Sequence, residues 1–130
     1  MSPRRLHGFL IVVVDDENDV RSAIARYLAS LGAVVEVCPN VDEAISAIRR
    51  LRPDLVLSDL AMPGKDGFEL LYEIRSIDRS EGRATPVIAI TGLARDVDRV
   101  RLPSAGFSAV LRKPFTPDAL LRVISDLLEL

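Results

Sequence analysis

The chain has 130 residues, of which 48% are hydrophobic and 28% charged, an ordinary composition for a single globular domain with its own core. Its formal net charge of -2 gives no general attraction to nucleic acid, and no apolar run approaches the length of a membrane span. The single cysteine, Cys38, excludes an internal disulfide and a multi-cysteine metal site. We expect Cys38 to fill space at the end of a strand, and we expect a cytoplasmic protein without a signal region.

Apolar runs of strand length alternate along the chain with segments of helical periodicity. The first run, Phe9–Val14, is continuous and rich in β-branched residues, which is typical of a strand buried on both faces. Shorter runs of the same kind predict four further strands, over Ala33–Val37, Leu55–Leu57, Val87–Ile90 and Ala109–Leu111.

Each predicted strand is followed by a segment whose apolar residues have the spacing of a helix. Gly32 ends the first of these segments, and Pro53 follows the second. The fourth, residues 94–105, is the weakest, because Pro103 should end it. The apolar positions of the other four helices are Val20, Ile24, Tyr27, Leu28 and Leu31, then Val41, Ala44, Ile45, Ile48 and Leu51, then Phe68, Leu71 and Ile74, and finally Leu120, Ile124, Leu127 and Leu128.

Five strand–helix units in succession predict a parallel sheet with helices on both faces, which is a three-layer α/β fold. No repeat, low-complexity segment or linker divides the chain. We therefore expect residues 9–130 to form one domain and residues 1–8 to be an N-terminal tail.

Polar residues that follow four of the predicted strands indicate where the chemistry lies. In an open parallel sheet, ligands bind beyond the carboxyl ends of the strands, near the point where the strand order reverses. Asp15 and Asp16 follow the first strand, Asp59 the third, Thr91 the fourth and Lys113 the fifth. This rule predicts that three carboxylates, one hydroxyl and one ammonium group share a single edge of the sheet.

Three crowded carboxylates repel one another unless a cation neutralises them. A set of oxygen ligands suits Mg²⁺, Lys113 adds a further positive charge, and Thr91 adds a hydroxyl that can donate to an anionic oxygen. Together these groups are suited to phosphoryl transfer onto a carboxylate. Taken singly, each is more common as a helix-capping, turn or solvated residue, and only their coincidence at strand ends favours a functional site.

Four segments resemble the motifs of the receiver domains of two-component response regulators. "VVVDDENDVR" is similar to the family's first acidic motif, and "PDLVLSDLAMPGKDGFELL" to its phosphoacceptor segment. "TPVIAITG" and "AGFSAVLRKPF" resemble its fourth and fifth strands. The resemblance extends from about Phe9 to Leu128 and implies a flavodoxin-like sheet with the strand order 2-1-3-4-5.

The resemblance implies a role for each candidate residue. Asp59 would accept the phosphoryl group, Thr91 would be the switch hydroxyl, and Lys113 would pair with a phosphoryl oxygen. The family often has a cis bond between its Lys and the following Pro, and Lys113–Pro114 is the matching bond here. The Mg²⁺ ligands would be Asp16, Asp15 through a water, Asp59 and the backbone carbonyl of Ala61.

Two positions depart from the family's pattern. An aromatic residue usually stands three residues before the Lys, where its ring moves inward on activation, but this chain has Val110. Lys65 stands where an apolar residue is common, which predicts an altered loop or a contact with a partner.

As a receiver, the chain would take a phosphoryl group from a histidine kinase or a histidine phosphotransfer protein and signal through a downstream protein. The resemblance also allows a phosphorylation-dependent homodimer, and we expect no nucleic-acid or membrane partner. The domain would promote its own phosphorylation and a slow dephosphorylation without being a turnover enzyme. Dephosphorylation should be slow because Ala61 and Leu93, which would flank the attacking water, have no polar side-chain atom.

Three alternatives stay open at this point. The chain could be the C-terminal receiver of a hybrid histidine kinase instead of a free-standing protein. A more distant alternative is an aspartate-nucleophile phosphatase of the haloacid dehalogenase type, but such enzymes have a second Asp two residues after the first, where Glu17 follows Asp15 here. A nucleotide-binding flavodoxin-like protein would offer Gly, Ser or Thr after its first strand instead of four acids.

Overall fold

The computed structural model describes residues 5–92, 102 and 104–130. All five predicted strands are present, each within two residues of its predicted bounds. Most of the helix predicted over residues 94–105 lies outside the described residues. No helix within the described part of the chain is long and apolar enough to cross a membrane.

The strands are β1 (Leu10–Val14), β2 (Val34–Cys38), β3 (Leu55–Asp59), β4 (Val87–Thr91) and β5 (Ala109–Arg112), and the helices are α1 (Asn18–Ser30), α2 (Val41–Leu51), α3 (Gly67–Glu81) and α4 (Pro117–Leu128).

The five strands form one parallel sheet in the order β2-β1-β3-β4-β5. The predicted α/β fold and strand order are therefore confirmed. Because β2 lies on one side of β1 and β3 on the other, the strand order reverses between β1 and β3. Asp59 is the last residue of β3 and Asp15 directly follows β1, so both flank the crevice that this reversal creates.

β1 separates the two halves of the core. Its side chains alternate, so that Val12 and Val14 pack with residues of α2 and α3, while Ile11 and Val13 pack with residues of α1 and α4. All four are buried, as the continuous apolar run predicts for a strand covered on both faces. The central strand is thus fixed between two layers of helices, and the loop that follows it starts from a rigid position.

The start of α3 fixes the chain just beyond the phosphoacceptor candidate. Asp66 accepts a hydrogen bond from the Glu69 N–H, and the Glu69 side chain accepts one from the Asp66 N–H, forming a capping box. The next residue, Gly67, lies so close to β3 that an added Cβ would be 2.5 Å from the carbonyl oxygen of Asp59. A side chain at Gly67 would therefore push the helix away from the end of β3.

Arg5 and Leu6, which we expected to belong to a tail, pack against the fold. Leu6 is fully buried among residues of α1 and α4, and its N–H donates to the carbonyl oxygen of Leu31 at 2.8 Å. The Arg5 guanidinium lies 3.4 Å from the Ser125 hydroxyl of α4. The packed unit therefore includes this short segment before β1.

Cys38 is the last residue of β2 and packs in the core with residues of α2 and α3. Its thiol is free, and burial raises its pKa to about 11, with the nearby carboxylates of Glu36 and Glu43 contributing in the same direction. The prediction that Cys38 fills space at a strand end is confirmed.

Candidate metal centre and phosphoacceptor site

The carboxyl ends of β1 and β3 bring three carboxylates together. Asp15, Asp16 and Asp59 each have a carboxylate oxygen within 4.8 Å of the other two. Asp15 and Asp59 are 1% and 6% exposed, whereas Asp16 is exposed to solvent. The cluster predicted from strand-end positions is therefore present, with two of its acids inside the protein and one at its surface.

Lys113 supplies a positive charge within this cluster. Its Nζ lies 3.5 Å from Oδ2 of Asp15 and 3.6 Å from Oδ2 of Asp59. The residue is placed by the sheet, because its N–H donates to the carbonyl oxygen of Thr91 at 2.7 Å, just beyond the paired ends of β4 and β5. The ammonium group therefore offsets part of the repulsion between the two buried carboxylates.

The two oxygens of Asp15 have different surroundings. Oδ1 accepts a hydrogen bond from the Glu17 N–H at 2.8 Å. Oδ2 is buried, and within the described residues it has no hydrogen-bond donor. Leaving a buried acceptor unsatisfied costs about 1–3 kcal/mol, so a cation at this oxygen would be favourable. An anionic oxygen beside two other carboxylates is the kind of ligand that Mg²⁺ takes, and these residues fit that ion.

The environment of Asp59 favours its protonated form. Burial raises the pKa of this carboxyl, the charge of Lys113 lowers it, and the nearby Asp15 raises it. Hydrogen bonds from the backbone N–H groups of Leu60 and Ala61 also lower it, but the net direction is upward. A cation beside the carboxylate would favour the ionised form, which is the nucleophilic one.

The main chain holds Asp59 from both sides. The N–H of the following residue, Leu60, donates to the carbonyl oxygen of Ile90 at 3.2 Å, and the carbonyl oxygen of Leu60 accepts from the Gly67 N–H at 3.0 Å. The preceding Ser58 is buried, and its hydroxyl donates to the Asp59 carbonyl oxygen at 2.8 Å. The Asp59 carboxylate therefore projects from a stretch of chain whose position is fixed by β4 and α3.

Thr91 is the last residue of β4 and is buried at the same edge of the sheet. The Lys113–Pro114 bond is cis, as the resemblance implies. Val110, which stands in place of the family's usual aromatic residue, is 42% exposed on β5. Leu93 lies outside the described residues, and the role of the Ala61 carbonyl as a metal ligand stays a prediction.

Two contacts around the site were not predicted. Lys65 forms an ion pair with Asp42 of α2, with 2.9 Å between Nζ and Oδ1, so the departure from the family's pattern links this loop to α2. Arg21 of α1 donates from Nη1 to the Asp15 carbonyl oxygen at 2.7 Å. A cation within two helical turns of clustered acids is a weak signal that could have identified Arg21. No sequence signal connects Lys65 with a residue so far away in the chain.

Comparison with known proteins identifies the same domain. The family model described as "Response regulator receiver domain" matches residues 11–125. An uncharacterized 14.6 kDa protein from the sodA1 3' region of Leptolyngbya boryana is 42% identical over 116 residues, which cover 89% of this chain and 87% of the relative. The transcriptional regulatory protein ResD of Bacillus subtilis is 39% identical over 114 residues, but this chain spans only 45% of its length.

A solved structure has the same architecture. The receiver domain of the histidine kinase CKI1 from Arabidopsis thaliana, determined in complex with Mg²⁺, superimposes with a TM-score of 0.86 at 29% identity. The match covers 96% of this chain and 95% of that domain. Sheet order, site geometry, family model and relatives thus agree, and the chain belongs to the response regulator receiver domain family.

Proposed function

We propose that this domain accepts a phosphoryl group on Asp59 from a phosphohistidine of a histidine kinase or histidine phosphotransfer protein. The observation that carries the proposal is the position of the Asp59 carboxylate, buried 3.6 Å from the Lys113 ammonium and within 4.8 Å of two further carboxylates. A lone strand-end Asp needs none of these neighbours. A phosphoryl acceptor needs positive charge around it during the transfer, which Lys113 supplies directly and which the two further carboxylates would supply by binding a cation.

The proposed step is an in-line displacement at phosphorus. An oxygen of Asp59 forms the new P–O bond, the P–N bond to the donor histidine breaks, and the imidazole nitrogen keeps the electron pair. Lys113 holds one phosphoryl oxygen and the Thr91 hydroxyl donates to another. Mg²⁺, when bound, neutralises charge on the acids and the transferred group. Its ligands in this proposal are Asp15, Asp16, Asp59 and the backbone carbonyl of Ala61.

The domain would act as a signalling module in the cytoplasm and not as a turnover enzyme. Its output would be a contact with a downstream protein, and phosphorylation would favour a homodimer where the pathway uses one. We propose neither a nucleic-acid nor a membrane partner. The likeness to part of ResD supports a role in a response regulator, and the likeness to the CKI1 receiver supports the alternative of a hybrid histidine kinase.

The experiment that tests the proposal is phosphorylation by a small acyl phosphate, such as acetyl phosphate, in the presence of Mg²⁺. Intact-protein mass spectrometry should show one added phosphoryl group on the wild type and none on Asp59→Asn. Asp54→Asn is the matched control, because Asp54 is an exposed acid just before β3 and far from the cluster. Labelling that persists at full stoichiometry in Asp59→Asn would place the acceptor elsewhere.

A further inference from the structure

Arg21 is the fourth residue of α1, and its guanidinium is hydrogen bonded to the chain that follows β1. Its Nη1 donates to the backbone carbonyl of Asp15 at 2.7 Å, and its Nη2 donates to Oδ1 of Asn18 at 2.8 Å. The residue is partly buried, so its guanidinium is held against the turn between β1 and α1. The planar guanidinium reaches the two acceptors from two separate nitrogens in a fixed geometry, whereas a lysine has a single nitrogen.

The turn held by Arg21 contains Asp15, one of the two buried acids of the cluster. The Asp15 N–H still belongs to the sheet, since it donates to the Cys38 carbonyl oxygen at 3.2 Å. The Glu17 N–H donates to Oδ1 of Asp15, and Glu17 is the N-cap residue that precedes α1, although its own side chain makes no capping hydrogen bond. Arg21 therefore links Asp15, at the end of β1, to Asn18, the first residue of α1. The exposed Asp16 lies between these two residues in the chain.

We infer that Arg21 is a positioning residue for the metal centre. By fixing this turn, it keeps Oδ2 of Asp15 directed toward Lys113 and without a donor among the described residues, which leaves that oxygen available to a cation. The inference rests on the proposed function, because it assumes that the cluster binds Mg²⁺. It adds a residue outside the ligand set, acting through the backbone of one ligand.

The positive charge of Arg21 and its positioning role have opposite effects on Mg²⁺ affinity. A cation beside the acids repels a second cation, so removing the charge alone would tighten Mg²⁺ binding. Loosening the turn would weaken binding, because residues that orient metal ligands typically contribute 10- to 100-fold in affinity. The sign of the change in the Mg²⁺ dissociation constant therefore separates the two roles.

The test is calorimetric titration of the full chain with MgCl₂ for the wild type, Arg21→Met, Arg21→Lys and Arg26→Met. Arg21→Met removes the charge and the donors but keeps the length of the side chain, and we expect its affinity to be about tenfold weaker. Arg21→Lys keeps the charge, and its Mg²⁺ affinity should lie between those of the wild type and Arg21→Met. Arg26→Met is the matched control, since it removes the same charge from an exposed position of the same helix, and its affinity should equal that of the wild type or be slightly tighter.

A second readout separates positioning from a general loss of structure. Phosphorylation of Arg21→Met by acetyl phosphate should be slow at low Mg²⁺ and return to near the wild-type rate when Mg²⁺ saturates. An Arg21→Met affinity equal to or tighter than that of the wild type would overturn the inference. If Arg21→Met is unfolded at the assay temperature, Arg21→Lys decides, and an unchanged affinity overturns the inference. A wild type that binds no Mg²⁺ would instead overturn the proposed metal site itself.

Discussion

At the scale of single residues, the two carboxylate oxygens of Asp15 have different partners. Oδ1 holds the first turn by accepting from the Glu17 N–H, while Oδ2 faces the Lys113 ammonium at 3.5 Å. Asp16, next to it, is exposed and has no comparable part in the packing. The two acids therefore differ in what their loss would do, since Asp15 supports the fold and Asp16 contributes mainly its charge.

This difference makes Asp16 the better residue for a metal-removal experiment. Millimolar Mg²⁺ should raise the melting temperature of the wild type, because a ligand that binds only the folded state stabilises it by about 1.4 kcal/mol at ten times its dissociation constant. Asp16→Ala should abolish most of that rise. Asp19→Ala, which removes an exposed acid from the first turn of α1, should retain it. Scanning calorimetry with and without EDTA gives the comparison, and equal rises in both variants would contradict the ligand assignment.

Cys38 gives a pH dependence whose sign follows from its raised pKa. The thiol has a pKa of about 11 in the fold against an ordinary value of 9.0, so the folded state favours the neutral form. This contribution to stability is fully present below pH 9 and is lost as the pH rises through 11. The pKa is raised by about two units, and each unit corresponds to about 1.4 kcal/mol, so the loss of stability is at most about 3 kcal/mol.

Comparison of the wild type with Cys38→Ala isolates this contribution from the titration of Tyr and Lys residues. The free energy of unfolding is measured by urea denaturation between pH 8 and pH 11.5. As the pH rises, that of the wild type should fall relative to that of Cys38→Ala. Parallel pH profiles for the two proteins would show that the thiol is not shielded by the core.

At the scale of elements, a partly buried polar network joins α3 to the segments before β4 and β5. The Arg75 guanidinium donates to Asp78 Oδ2 at 3.0 Å, to the Thr85 carbonyl oxygen at 2.7 Å and to the Gly106 carbonyl oxygen at 3.1 Å. The Asp78 carboxylate, which is buried, also accepts from the N–H and the hydroxyl of Thr85. This network lies at the end of β4 opposite the phosphoacceptor site.

Removing the centre of the network should destabilise the domain without affecting metal binding. We expect Asp78→Ala to lower the free energy of unfolding by about 3 kcal/mol, because it leaves Arg75 and the Thr85 donors without their partner. Ser80→Ala, in the exposed last turn of α3, should cost much less. Urea denaturation measures the loss. A change of less than 1 kcal/mol would show that the network contributes little.

The sequence predicts elements where one local pattern decides the structure. The continuous apolar run of β1, the helical spacing of α2 and the strand-end acids at Asp15 and Asp59 all have local signals, and the structure has each of them. The burial of Leu6 has no such signal, because a lone leucine between basic and polar residues has no period. The contacts of Arg75 with Thr85 and Gly106 depend on how α3 packs on the sheet, which no short window of sequence contains.

At the scale of the whole molecule, the proposed function makes the lifetime of a phosphoryl group on Asp59 the duration of the signal. Under that proposal the attacking water would approach past residue 61, which is an exposed alanine with no polar side-chain atom. Loss of a water-orienting group typically slows such a step by about a hundredfold, so we expect slow self-dephosphorylation. Ala61→Asn combined with Leu93→Glu should shorten the lifetime, measured as loss of label after the donor is removed. A wild-type lifetime of seconds that the double substitution leaves unchanged would contradict this expectation.

The sheet order has a consequence for the protein while it is being made. β1 and β3 can pair before β5 leaves the ribosome, and their pairing places Asp15 and Asp59 at one edge of the sheet. The balancing ammonium group of Lys113 is translated later, because Lys113 directly follows β5, the fifth strand of this sheet along the chain. A chain that stops before that point has clustered acids without their counter-charge, and under the proposed function it has no ammonium group at this position to hold a phosphoryl oxygen.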